Sequence, residues 1–169
     1  MKQIFLIALA LALFSCTGSN PKSASSFKHF ELEELLAVAE HNLNDTVAVI
    51  GYVTHTCKHS GKRCFIESES VSSKISMRVE AGDGIGGFSP ELVGAKLAIT
   101  GVLKEYHLSA ESIDEREERV NHLQHQEGME ETCAAELSNI EEMRAWMKEK
   151  DKDYYVIYYM DGLKYEVLD

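Results

Sequence analysis

Residues 74–106 read KISMRVEAGDGIGGFSPELVGAKLAITGVLKEY. Ile75, Met77 and Val79 alternate with Ser76, Arg78 and Glu80, the pattern of an antiparallel strand with one face in a core. The glycine-rich segment 82–87 (GDGIGG) reads as a connecting loop. It lacks the GxxxxGK[ST] order of a phosphate-binding loop, and no basic residue follows it. Ser89-Pro90-Glu91-Leu92 combines an N-cap, a first-turn proline and an acidic first turn, which predicts a short helix. Residues 96–106 (KLAITGVLKEY) then predict another strand, with Gly101 at its centre. Strand, short helix, strand is the second half of an OB barrel, provided two strands precede it.

Two strands do precede it. Residues 46–57 (TVAVIGYVTHTC) are rich in β-branched side chains. Strict alternation puts Val47, Val49, Gly51, Val53, His55 and Cys57 on one face, and Gly51 permits a bulge or bend. Ser60-Gly61 marks a turn, and 64–68 (CFIES) is the return strand. The expected fold is mainly β with added helices (α+β), an OB-like five-stranded barrel. An N-terminal helix is expected over 30–44 (FELEELLAVAEHNLN), with apolar positions at 32, 35, 36 and 39. A helical insertion is expected over about 112–150: a charge-dense exposed helix, a break at Gly128 and an amphipathic stretch, 133–150. The fifth barrel strand is faint in the pattern. The terminal run 154–168 (YYVIYYMDGLKYEVL) is expected to supply it around 154–159 and to turn as a hairpin at Asp161-Gly162.

The N-terminus fixes an address. Lys2 precedes a continuous apolar run, 4–14, too short to span a bilayer comfortably. Leu13-Phe14-Ser15-Cys16 follows. It resembles the lipobox of bacterial lipoproteins, with a bulkier residue than usual at Phe14. The resemblance implies a signal peptide over 1–15, lipidation of Cys16 and a flexible tether over 16–27 (TGSNPKSASS at its heart). Residues 28–169 form a single domain of about 140 residues, enough for one real core. Thr17 is not an acidic retention signal and no acidic cluster follows Cys16. The expected location is therefore the cell envelope, lipid-anchored to the outer membrane and facing the periplasm. The membrane is engaged through the lipid, with an envelope protein as a further candidate partner.

Seventeen basic residues against 28 acidic give a net charge of −11. Phosphate neutralisation by Lys and Arg dominates nucleic-acid binding, and the basic clusters here (Lys58, Lys62, Arg63; Lys148, Lys150, Lys152) are small or interleaved with acids. Nucleic acid is not an expected partner. No serine sits in a nucleophile elbow and no HExxH occurs. A binding or accessory module is expected rather than an enzyme.

The chemistry-bearing pattern is His55-x-Cys57-x-His59-x4-Cys64. On a persistent strand 55, 57 and 59 share a side, and Cys64 opens the return strand. Two sulfurs and one or two imidazoles suit a zinc ion, and thiolates suit a copper(I) ion. The candidate ligands are Cys57, His59 and Cys64, with His55 and Cys133 as further donors. On an unbroken helix His122, Met129 and Cys133 share a face, with His125 on its flank. A disulfide between Cys57 and Cys64, structural or redox-active, is the alternative, because facing strand positions lie within bridging range. Unlinked thiols are the third reading. With Cys16 lipidated, three thiols remain, an odd number that one simple bridge does not use up. A separate candidate ligand face consists of Arg78, which could hold an anion, and Tyr154, Tyr155, Tyr158 and Tyr159, which could stack a ligand.

Four segments carry a family resemblance: 53–65 (VTHTCKHSGKRCF), Arg78-Val79-Glu80-Ala81, Gly86-Gly87-Phe88 and Asp153-Tyr154-Tyr155. Together they resemble uncharacterised OB-fold lipoproteins of Bacteroidetes-type bacteria. The resemblance spans most of the mature chain and implies fold and location. It implies no particular activity.

Overall fold

The computed structural model describes residues 27, 29–69, 75–124, 126 and 128–168. The signal, Cys16, most of the tether and His125 lie outside them. Five strands close a barrel. β2 (Thr46–Thr56) pairs antiparallel with β3 (Arg63–Glu67), and β3 with β4 (Ser76–Ala81). β4 runs parallel to β6 (Tyr154–Leu168), which pairs antiparallel with β5 (Lys96–Ser109). β5 returns to β2 and shuts the ring. Two parallel neighbours need a long crossover. β5 and the helical insertion provide it, so β6 is the fifth barrel strand. A short strand, β1 (His29–Glu31), adds parallel to β2 outside the ring. This is the OB-like mixed barrel with helical insertion that the strand order implied.

The barrel interior is full. Val53, Cys64, Ile66, Leu97, Ile99 and Met160 are each at most 1% exposed and pack in one apolar cluster. Pro90–Leu92 forms a 3-10 turn rather than an α-helix, with the Ser89 hydroxyl accepting the Glu91 N–H. The expected helix over 30–44 is also shorter. It divides into β1, a short α1 (Leu32–Ala37) and a 3-10 turn at Ala39–His41. Phe30 is buried as part of a strand, and the Asn42 amide donates to the Val38 carbonyl at 2.8 Å, so local hydrogen bonding turns the chain early.

No hairpin forms at Asp161-Gly162. β6 continues through as one strand, with Asp161 opposite Val102 and Gly162 opposite Gly101, and takes only a bulge at Leu163 before Lys164 meets Thr100. β4 pairs with the same stretch from the other side, Glu80 with Asp161 and Ala81 with Gly162. Pairing on both edges overrides the local turn preference. The glycines serve close packing instead: a Cβ at Gly101 would sit 2.5 Å from Met160 Cγ, and one at Gly162 would sit 2.9 Å from Ile85 Cδ1.

β5 leads into a helical hairpin, α2 (Ala110–Leu123) and α3 (Glu130–Glu149). The Ser109 side chain caps α2 by accepting the Ser112 N–H at 3.2 Å. Ile113, Val120, Cys133, Ile140 and Met147 make a second, smaller core, which Leu108 of β5 and Tyr155 of β6 join to the sheet. Arg144 on α3 clamps Asp114 and Glu117 on α2, at 2.7 and 2.6 Å. Among the described residues no helix is long and apolar enough to cross a membrane.

Candidate functional site on the outer barrel wall

The alternation along β2 holds only to Val53. Val53 faces Ile66, but His55, not Thr54, faces Phe65: Thr54 is an extra residue, a β-bulge. Beyond it the phase of the strand inverts. Thr56 turns inward, 3% exposed, opposite the buried Cys64. His55 turns outward, with its ring 5.9 Å from that of Phe65. Cys57 follows Thr56 and therefore takes the outward phase, at the start of the turn, half-buried.

This placement separates the Cys/His constellation. Cys64 sits in the barrel core, where burial pushes its thiol up to about 12. Cys57 sits at the turn, where the Ser60 hydroxyl and then the Ser60 and His59 backbone N–H groups hold its thiol below the usual range, Arg63 adding slightly. Cys133 lies in the helical core. All three are free thiols. The expected convergence of Cys57, His59, Cys64, His55 and Cys133 on one point is thus not found, and neither is a Cys57–Cys64 bridge. Among the described residues no group of three or more His, Cys, Asp or Glu side chains is placed to hold a metal ion. One inserted residue in β2 is the physical reason.

The tyrosine run divides too: alternation puts Tyr154 and Tyr158 on one face and Tyr155 and Tyr159 on the other, and four residues of strand part Tyr155 from Tyr159. Tyr154 stacks on His107 at 3.9 Å, with the Lys152 ammonium over its ring. Tyr155 meets Trp146 edge-on at 5.2 Å in the helical core, and burial raises its phenol. Tyr158 packs against the barrel core beside α1 and lines a cavity of about 220 Å³ with Trp146 and Lys150; burial, then Glu40 and Glu105, raise its phenol. Only Tyr159 stands with Arg78, its direct partner across β4 and β6.

The outer wall of β3, β4, β6 and β5 carries a row built by register. Phe65 faces Arg78, Arg78 faces Tyr159, and Tyr159 faces Lys104. The Arg78 guanidinium lies 4.9 Å from the Tyr159 ring centroid and 5.6 Å from that of Tyr106, two residues along β5. Such contacts are worth about 0.5–2 kcal/mol and hold the planar group in place. Its Nε is buried and has no hydrogen-bond partner. Glu80 Oε1 lies 3.1 Å away, close enough for charge attraction but not in hydrogen-bond geometry. Glu80 accepts its hydrogen bond from the Nε–H of Arg63, its partner across β3 and β4, at 3.0 Å. Two guanidinium groups therefore share one carboxylate. Tyr106 is among the exposed large side chains. Arg78 and Tyr159 stand in the expected ligand face. Phe65, Tyr106 and His55 join it through cross-strand register, which a single strand's pattern does not display.

A scan against protein-family models finds no match to the chain, and a comparison with curated proteins finds none. Among solved structures, a putative aspartyl-tRNA synthetase from Leishmania major Friedlin is similar over 52% of this chain, at 15% identity and a TM-score of 0.32. The chain covers 18% of that protein's length, and the likeness carries no inference about this one.

Proposed function

We propose that this domain is a non-catalytic binding module of the cell envelope, carried on a lipid at Cys16 and facing the periplasm, that takes its ligand on the outer wall of β3, β4 and β6. The observation that carries this reading is the orphaned, buried Nε of Arg78, held between two tyrosine rings in the middle of an exposed wall. Glu80 Oε1, 3.1 Å away, attracts this charge but leaves the donor without a hydrogen bond, and a ligand acceptor in line with the guanidinium would supply one. Fold geometry supports the same place. OB barrels bind ligands on the face of their second and third strands, flanked by the loops after strands one and four. Here those strands are β3 and β4. The loops are the 57–62 turn and the α2–α3 hairpin. The filled interior supports the outer wall as the working surface, and the bulge at Thr54 supports this reading over chemistry shared by Cys57 and Cys64.

Amide chemical-shift mapping with a panel of short peptides and oligosaccharides tests the location. Shifts are expected to cluster at Phe65, Arg78, Tyr106 and Tyr159. A Tyr106→Ala/Tyr159→Ala variant, folded by circular dichroism, should bind at least tenfold more weakly. Shifts confined to α2–α3, or an unchanged affinity in the variant, would contradict the proposal.

A further inference from the structure

The outer wall also says what kind of group it takes. This step rests on the binding-face reading and adds the chemistry of the ligand. The guanidinium of Arg78 is a planar fork of N–H donors with no acceptor function. Its carbon lies over Tyr159 and Tyr106, which fixes its plane but satisfies none of its N–H groups. The nearest carboxylate, Glu80, pairs with the guanidinium by charge at 3.1 Å but gives it no hydrogen-bond geometry, and accepts its hydrogen bond from Arg63 instead. On this wall Arg63, Arg78 and Lys104 are set against Glu80, Asp161 and Glu67, so the wall is balanced in charge in a chain whose total is −11. Lys104 flanks the row beyond Tyr159, its ammonium 2.9 Å from Asn44 Oδ1. A guanidinium in a balanced patch on a strongly acidic body selects ligands with one or two negative groups, because a long polyanion meets repulsion from the rest of the surface. Beside the guanidinium, Phe65 and Tyr106 offer half-buried and exposed ring surface.

We infer that Arg78 binds an oxyanion, a carboxylate or phosphate group, carried on a ring-shaped or apolar body that lies against the exposed ring of Tyr106. The fork donates to two oxygens of the anion, as guanidinium groups do with planar oxyanions. Glu80 stays 3.1 Å from the Arg78 Nε without a hydrogen bond to it and accepts from Arg63, so the anion draws on the Nη groups of the fork.

Three probes of matched shape test this on the isotope-labelled full chain: benzoate, its neutral isostere benzamide, and phenyl phosphate. The readouts are the Arg78 Nε–H signal and the ring signals of Tyr106 and Tyr159. Benzoate or phenyl phosphate should shift all three saturably, at least fivefold more tightly than benzamide, and the tighter of the two names the anion. In Arg78→Gln that preference should vanish while weak benzamide-like binding remains. Arg78→Lys keeps the charge without the fork and should recover only part of it. Equal shifts by benzoate and benzamide on this wall would overturn the anion assignment while leaving the wall a binding surface. An anion response unchanged in Arg78→Gln would overturn it too. Shifts by all three probes only on α2–α3 or the 57–62 turn would sink both readings.

Discussion

The two walls of the barrel are made by the same strands and could hardly differ more. Inward, Ile66, Val79, Leu97, Ile99 and Leu103 are sealed from water and leave no room. Outward, the neighbours of those residues carry rings and charges: Phe65 beside Ile66, Arg78 and Glu80 on either side of Val79. The inner wall stores stability and the outer wall is free to recognise. Adjacent residues therefore make the sharpest probes of the difference. Ile66→Ala opens a cavity in a filled core and should cost about 2–5 kcal/mol in urea denaturation. Phe65→Ala removes a larger side chain but from the half-buried side, and should cost under about 1.5 kcal/mol. A reversal of that order would break the division between the walls.

The thiols draw the same line by pH. The folded-state value of Cys64 is raised to about 12 by burial, above the ordinary thiol value of 9.0. Below pH 9 both folded and unfolded chains keep the proton, and the contribution is fully present. Above it the unfolded chain releases the proton first, so stability falls as pH rises toward 12. The loss should reach about 1.4 kcal/mol by pH 10 in wild-type chain. Cys64→Ala should show a flatter alkaline limb in the same denaturation series. An alkaline limb unchanged in Cys64→Ala would place that thiol in contact with water.

Much of this architecture is legible from residue order. The alternation at 75–80, the Ser-Pro-Glu-Leu cap and the β-branched run at 46–53 specify barrel strands and their sequence. Tyr154 onward announces a strand that completes the sheet. Gly128 marks the break between the two helices. What the pattern misses is non-local. Asp161-Gly162 has the composition of a turn, yet strands on both sides of it hold the backbone extended. Thr54 looks like any strand residue, and only its partners across β3 make it a bulge. That one residue moves His55 and Cys57 out of phase with Cys64, which is why a site that strict alternation assembles is dispersed in the fold. Cys133 shares no core with either of the other thiols, because the helical insertion packs on itself. The outer-wall row was half visible. Arg78 stands out as a charge in a strand, but its grouping with Phe65, Tyr106 and Tyr159 exists only across four strands.

Timed alkylation of the native chain at neutral pH, read by mass spectrometry without reductant or chelator, addresses the division of the walls most directly. Cys57 should be modified rapidly, with Cys64 and Cys133 protected until denaturant is added. Joint protection of Cys57 and Cys64, released together by reductant or by a chelator, would contradict the account and bring the two sulfurs to the same side of the sheet.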